Sequence, residues 1–450
     1  MWQRWPLSLG MVLALLACGG GGAGSSPGLA PLKPQIFLSM TGQILRPGET
    51  RSIRVDSTED PSTTEWAVTG GTLSPSGQGP VYTAPSTPGR FEIRGRFKGN
   101  PTVTATLVVH VVTIQVEVQG TLPAGPGWGS EFKVDALPDG RILINAWRYA
   151  APMIWDPVAR TGVSTGPCPM RPSKPEMARL QSGRLIQVGG GAWGSPNACD
   201  ILEYNPQADS WAKSGEVYYT RVGDQTSTVM RDGRLLIAGG LTGGGGQNPT
   251  MEIWDPSLGG VATVFANLQI PRSGHTATLM PDGSVLMAGG LFDKGSVDRT
   301  EWVAANLQSR PGPDLMVSRN NHSALLLGDG RVLMVGGGTS ALLEAYNPAK
   351  GLFEACGTMD APAISHPAVS LLSSGKVVIM GGVLPGTGLP TTDAVQVWIP
   401  ELHECRTLAT LPVPIYGAKA VAGATDSAFL VGGLNASSEP RTEVIAIKVQ

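Results

Sequence analysis

The chain has 450 residues, 41% of them apolar, which is enough to bury sizeable cores and too apolar for wholesale disorder. Its 61 glycines and 37 prolines exclude a mostly helical fold, since Pro costs about 3 kcal/mol and Gly about 1 kcal/mol inside a helix. A formal net charge of −2 without a long run of either sign argues against a nucleic-acid partner and gives no support for a polybasic membrane patch.

The first residues read as a processing signal. Arg4 supplies a positive n-region, and residues 7–17 form an apolar stretch too short to span a bilayer as a helix. The stretch ends Leu15-Leu16-Ala17-Cys18, which resembles the bacterial lipobox. That resemblance implies that residues 1–17 are removed and that Cys18 is lipidated. The chain is then exported and held at the bacterial cell envelope, on the outer membrane or cell surface, through an N-terminal lipid anchor. Residues 18–33 are a Gly/Ser/Pro-rich tether. The remaining cysteines are Cys168, Cys199, Cys356 and Cys405. An even number in an exported chain is compatible with two disulfides or with buried free thiols. Cys168–Cys199 is the preferred bond, because both lie near loops of neighbouring repeat units. No CxxC spacing supports a structural zinc site.

Residues 34–113 alternate between apolar and polar positions, with Gly, Pro or Ser breaks every 8 to 12 residues, the pattern of a small β-sandwich. The string EWAVTGGTLSPSGQGPVYTAPSTPGRFEIRG resembles bacterial Ig-like modules. The resemblance makes Trp66 the core aromatic and a spacer or adhesive role the expectation. His110, alone in an apolar strand, reads as structural.

From residue 114 the chain repeats. A tight turn, an apolar strand and a glycine pair recur as DGRILI at 139–144, SGRLIQVGGG at 182–191, DGRLLIAGG at 232–240 and DGSVLMAGG at 282–290. The series continues as DGRVLMVGGG at 329–338, SGKVVIMGG at 374–382 and TDSAFLVGG at 425–433. The turn glycines Gly140, Gly183, Gly233, Gly283, Gly330 and Gly375 are 43 to 50 residues apart. A second landmark is an aromatic followed by a reverse turn, as in IWDP at 154–157, EYNP at 203–206, IWDP at 253–256, AYNP at 345–348 and VWIP at 397–400. Seven such copies resemble kelch repeats, each a four-stranded blade. The fold class is therefore all-β: a seven-bladed kelch-type β-propeller over residues 114–450, preceded by a small Ig-like β-sandwich. The last copy is one strand short, and residues 112–123 are placed to supply it and close the ring.

The Asp-Gly and Asp-Pro turns are short and share one face, so the longer connections crowd the other. On that loop-rich face Arg171, Arg221, Arg272 and Arg319 recur before the innermost strand, and His275, His322 and His366 fall at related positions. The arginines have two readings: a ring around the channel mouth for an anionic or sugar-like ligand, or bonds between blades. The histidines likewise read as ligand-binding, as metal-binding, or as part of the repeat. RNNHSALLLGDGRVLMVGG at 319–337 resembles the copper-radical oxidases related to galactose oxidase. That family has a Tyr immediately before this His, both binding copper; here the residue before His322 is Asn321, and an amide replaces no phenolate. The resemblance thus implies the fold and not the activity. No GxSxG, HExxH or Walker-type motif is present. The sequence thus points to a non-catalytic binding or scaffold protein without cofactor or metal, whose partner is a carbohydrate, an envelope polymer or a protein. An enzyme on the same scaffold, a metal-dependent oxidase or a sugar-modifying enzyme, is the alternative, and a purely structural spacer a third reading.

Overall fold

The computed structural model describes residues 33–450 apart from 77–78, 124–131, 147–151, 170–173, 175, 191–198, 339, 363–364 and 387. Cys18 and Arg171 lie outside the described residues. Among the described residues, regular structure is all β but for one 3-10 turn, Pro61–Thr63. No helix among the described residues is long and apolar enough to cross a membrane.

The N-terminal unit is a β-sandwich. One sheet orders Ile44–Leu45, Thr104–Val111, Gly89–Phe97 and Thr64–Val68; the facing sheet orders Thr50–Ser52, Val81–Thr83 and Thr72–Ser74. The aromatic sealed in its core is Tyr82, fully buried, whose hydroxyl donates to the Gly70 carbonyl at 3.0 Å. Trp66 packs against that core from its edge and is only partly buried. The polar end of a tyrosine can be buried because it finds a backbone acceptor there.

Seven sheets form the blades of a propeller. From the first blade to the seventh, the innermost strands are Phe132–Ala136, Glu176–Arg179, Gly223–Val229, Thr276–Leu279, Ser323–Leu326, Ala368–Leu371 and Lys419–Ala422. Each blade runs outward in chain order through antiparallel neighbours. The fifth is representative: Ser323–Leu326, Val332–Val335, Leu342–Asn347 and Leu352–Thr358. The seventh takes its outer strand, Ile114–Thr121, from the segment before the first blade, in antiparallel register with Glu443–Val449. The ring is closed by the strand expected to close it, and a sheet edge is removed.

The recurring residues have physical reasons. In the Asp-Gly turn the aspartate accepts the amide two residues on, as Asp232 Oδ1 does from Arg234 N at 3.0 Å, and the glycine is left-handed (Gly233, φ 89°). The first glycine of each pair is also left-handed, and a Cβ on Gly239 would lie 2.4 Å from the Arg272 carbonyl oxygen of the next blade. The aromatics seal the gap to the preceding blade: Trp155 shares a core cluster with Val421 and Val431, Tyr204 with Leu143, Trp254 with Ile186, and Trp398 with Leu333. Each such burial contributes about 1.5–3 kcal/mol. In the fourth blade the register gives this position to Val303, paired with Val285, so Trp302 turns into the following gap and meets Tyr346 edge-on. The ring centroids are 5.3 Å apart.

The sandwich is bolted to the sixth blade. Glu404 accepts the Gln43 amide at 2.7 Å, Arg406 pairs with Glu49 at 2.7 Å, and Glu401 takes Arg90 at 2.8 Å and His110 Nε2 at 2.9 Å. His110 is thus structural. It joins the two units.

The Cys168–Cys199 bond is not formed. The two side chains pack into different inter-blade clusters, Cys168 with the one between the first and second blades and Cys199 with the one between the second and third. The Cys199 thiol lies 3.1 Å from Thr220 Oγ1.

Candidate functional site at the channel mouth

The inner strands all begin on the face that carries the long connections, and between them lies a cavity of about 510 Å³. On the third to seventh blades the rim is built by one left-handed residue each: Asp224 (φ 57°), Gly274 (60°), Asn321 (50°), His366 (52°) and Gly417 (68°). This conformation swings each amide around the channel rather than along the strand. Gly274 N donates to Asp224 O at 2.9 Å, Asn321 N to Gly274 O at 2.8 Å, and Gly417 N to His366 O at 3.1 Å. The rim is a belt of backbone hydrogen bonds linking adjacent blades.

Just below the rim, strand register places one residue from each blade at a common level: Lys133, Glu176, Thr226, Thr276, Ser323, Ala368 and Lys419. Charge is confined to the seventh, first and second blades, and hydroxyls to the third, fourth and fifth. Lys133 Nζ lies 2.6 Å from Glu176 Oε2, and Lys174 Nζ lies 3.1 Å from Asp224 Oδ2. Burial opposes charge on Lys133, yet Glu176 outweighs it and the ammonium is held more firmly than usual. Lys419 is pushed the other way, down to about 8, by burial and by the Lys133 charge beside it, against the pull of Glu176 and Asp224.

Three of the four arginines expected to ring the channel mouth do not line the cavity. Arg221, Arg272 and Arg319 turn away from the channel and are at most 1% exposed. Arg221 pairs with Glu252 at 2.5 Å and donates to the carbonyls of Gly239 and Thr250; Arg319 pairs with Glu344 at 2.7 Å and donates to those of Gly336 and Leu342. Arg272 donates to the carbonyls of Gly289 and Arg299. The first, left-handed glycine of the pair supplies one carbonyl to each arginine, Gly239, Gly289 or Gly336, and a guanidinium with five donors is the side chain that can satisfy several acceptors at once. Their carboxylate partners, absent from the sequence reading, also accept loop amides: Glu252 from Tyr218 and Tyr219, Glu344 from Met316. The signal for them was an acid two residues before the blade aromatic, as in Glu252-Ile-Trp254 and Glu344-Ala-Tyr346.

The three histidines are not equivalent. His275 and His322 occupy one position, immediately before the common level, and reach back to the preceding blade: His275 Nε2 lies 3.0 Å from Thr226 Oγ1 and His322 Nε2 2.9 Å from Thr276 Oγ1. Burial first, then Arg272 and His322 for the former and Arg319 for the latter, hold both near 3 and therefore neutral. Each Nδ1 is buried without a partner among the described residues, and each Nε2 shares its hydrogen bond with the threonine hydroxyl. His366 stands one residue earlier, on the rim, and its Nδ1 meets Ser365 Oγ; Pro367 takes the place of the other two. The trio therefore offers no convergent set of nitrogens, and no group of three His, Cys, Asp or Glu able to hold a metal occurs among the described residues.

No protein-family model and no curated protein matches the chain. Among solved structures it is similar to a novel fungal alcohol oxidase of the AA5 family in complex with copper, with a TM-score of 0.58 and 14% identity over 74% of this chain and 75% of that one. It is also similar to YjhT, at a TM-score of 0.47 and 12% identity, over 73% of this chain and 99% of that one. At such identity the likeness to the oxidase is one of fold alone. The residues at hand do not fit copper: Asn321 supplies an amide whose Nδ2 is bonded to Asn320 Oδ1, and the His322 Nε2 is committed to Thr276.

Residues that sequence reasoning passed over dominate the cavity: Lys133, Lys174, Glu176, Asp224 and Lys419. Around it, the same face exposes large apolar side chains on its connections. Tyr218 and Tyr219 are 60% and 48% exposed and pack edge-to-face, with Phe292 and Met316 on neighbouring loops.

Proposed function

We propose that this chain is an exported, lipid-anchored binding protein that takes a carbohydrate on the loop-rich face of its propeller, either a free saccharide or part of an envelope polymer. The observation that carries this reading is a polar cavity lined by hydroxyls, lysines and carboxylates that shares its face with exposed tyrosines. A sugar presents C–H faces that stack on aromatic rings and hydroxyls that need mixed donors and acceptors, and this face carries both kinds of surface. The Tyr218–Tyr219 loop is a rigid platform rather than a loose tip, since both amides bind the buried Glu252 carboxylate. The tether and anchor on Cys18 would present this face away from the membrane, with the sandwich, similar to Ig-like spacers, between them.

The test is calorimetric titration of neutral and acidic saccharides into the full chain and a Tyr218→Ala/Tyr219→Ala variant. Loss of about 1.5 kcal/mol in the variant, roughly tenfold in Kd, is expected. Absence of saccharide binding by the unaltered chain, or binding that ignores both tyrosines, would remove this reading in favour of a protein partner or a spacer.

A further inference from the structure

Three lysines reach the channel mouth, and they are not alike. Lys133 and Lys174 each have a carboxylate partner, Glu176 and Asp224. Lys419 lines the same cavity, but its ammonium has neither an ion pair nor a hydrogen bond among the described residues. It is held in place by its strand, where Lys419 pairs with Val431, between the inner strands of the first and sixth blades. The sixth blade offers only Ala368 at this level, while the first offers Lys133, whose negative partner is already committed. The charged and titratable groups around Lys419 are therefore Lys133, Lys174, Glu176, Asp224 and His366.

We propose that Lys419 is a covalent capture site for carbonyl ligands: its amine condenses with the aldehyde or keto group of a small open-chain sugar seated in the channel. The ligand class rests on the saccharide reading above; the amine chemistry does not. In the step, the Lys419 nitrogen lone pair forms a bond to the carbonyl carbon and the carbonyl oxygen takes up a proton, giving a carbinolamine. Loss of that oxygen as water leaves an imine, so one water is released and nothing is oxidised or reduced. Glu176, Asp224 and His366 share the cavity and are the groups able to pass the protons. A lysine at about 8 is about half free amine at that pH. An ordinary lysine near 10.4 is free to well under ~1% there, so Lys419 gains on the order of a hundredfold in reactive form.

The full chain is incubated with glycolaldehyde and sodium cyanoborohydride, which reduces an imine to a stable secondary amine, and each lysine is quantified by peptide mass spectrometry. Lys419 is expected to be trapped at least tenfold faster at pH 7 than the exposed Lys98 and Lys294, with a half-maximal rate near pH 8. A Lys419→Arg chain loses that adduct and no other. Trapping of Lys419 no faster than the exposed lysines overturns the proposal on the unaltered chain, whatever the variant does. A methyl glycoside, which cannot open to a carbonyl, separates the two claims. Glycoside binding without trapping leaves the saccharide seat and overturns the capture; trapping without glycoside binding leaves the capture and overturns the seat.

Discussion

Replacing Arg319 by alanine tests whether the repeating arginines serve the fold or a ligand. The guanidinium and the Glu344 carboxylate are both 0% exposed and lie 2.7 Å apart. The same guanidinium supplies donors to the Gly336 and Leu342 carbonyls, each at 2.6 Å. Truncation leaves a buried carboxylate with only the Met316 amide, and loss of one partner of a buried pair costs about 3–5 kcal/mol. With an unfolding entropy of about 2.1 cal/mol/K per residue, a propeller of roughly 330 residues should lose roughly 4–7 °C in Tm by scanning calorimetry. The companion variant Arg319→Met/Glu344→Leu removes both charges and should recover only the part of that loss owed to the stranded carboxylate, because the Gly336 and Leu342 carbonyls and the Met316 amide still lose their partners. A single variant that melts within about 1 °C of the unaltered chain while losing saccharide affinity would refute the reasoning and return the arginine to the ligand.

Three further outcomes follow from the same geometry. Thr113 and Gln450 exchange both backbone bonds, so alternation makes Gln115 and Lys448 the next hydrogen-bonded pair; Gln115→Pro should cost about 3 kcal/mol and, by limited proteolysis, open the seventh blade before the others. Glu49 and Glu401 are each held down to about 2. In Glu49 burial works against this and the Arg406 hydrogen bond prevails; in Glu401 the Arg90 hydrogen bond is the main cause. Folded values below the ordinary 4.5 mean that their stabilisation is complete above pH 4.5 and lost as pH falls toward 2, so the Arg46 amide, which donates to Glu49, should lose hydrogen-exchange protection in that window before the inner strands do. Burial raises the Cys356 and Cys405 thiols to about 12, so a thiol reagent at pH 8 should modify Cys199 in the native chain and reach Cys356 and Cys405 only after unfolding. Early labelling of Cys356 or Cys405 would contradict their burial.

What the sequence disclosed and what it concealed have one cause. The Asp-Gly turns, glycine pairs and blade aromatics could be read because each position tolerates few residue types. Left-handed backbone, a carbonyl within 2.4 Å of a would-be Cβ, and a gap between blades leave little choice. The arginines were visible for the same reason, but their spacing does not say whether a side chain turns toward the channel or into the sheet. That is decided by Glu252 and Glu344, which stand on the third strand of the blade two residues before its aromatic, a spacing that shows where the acid recurs but not that it faces the arginine. His366 resembled His275 and His322 at a tolerance of one residue, and one residue separates a rim position from a side chain buried between blades. The cavity lysines left no repeating signal at all. Lys133, Glu176 and Lys419 occupy the level at which other blades carry Thr226, Thr276, Ser323 or Ala368, so their charges break the repeat. In a ring of near-identical blades, whatever every copy shares is what closing the ring demands. A chemistry specific to one side of the channel has to be written in the copies that differ, and in this chain those are the seventh, first and second.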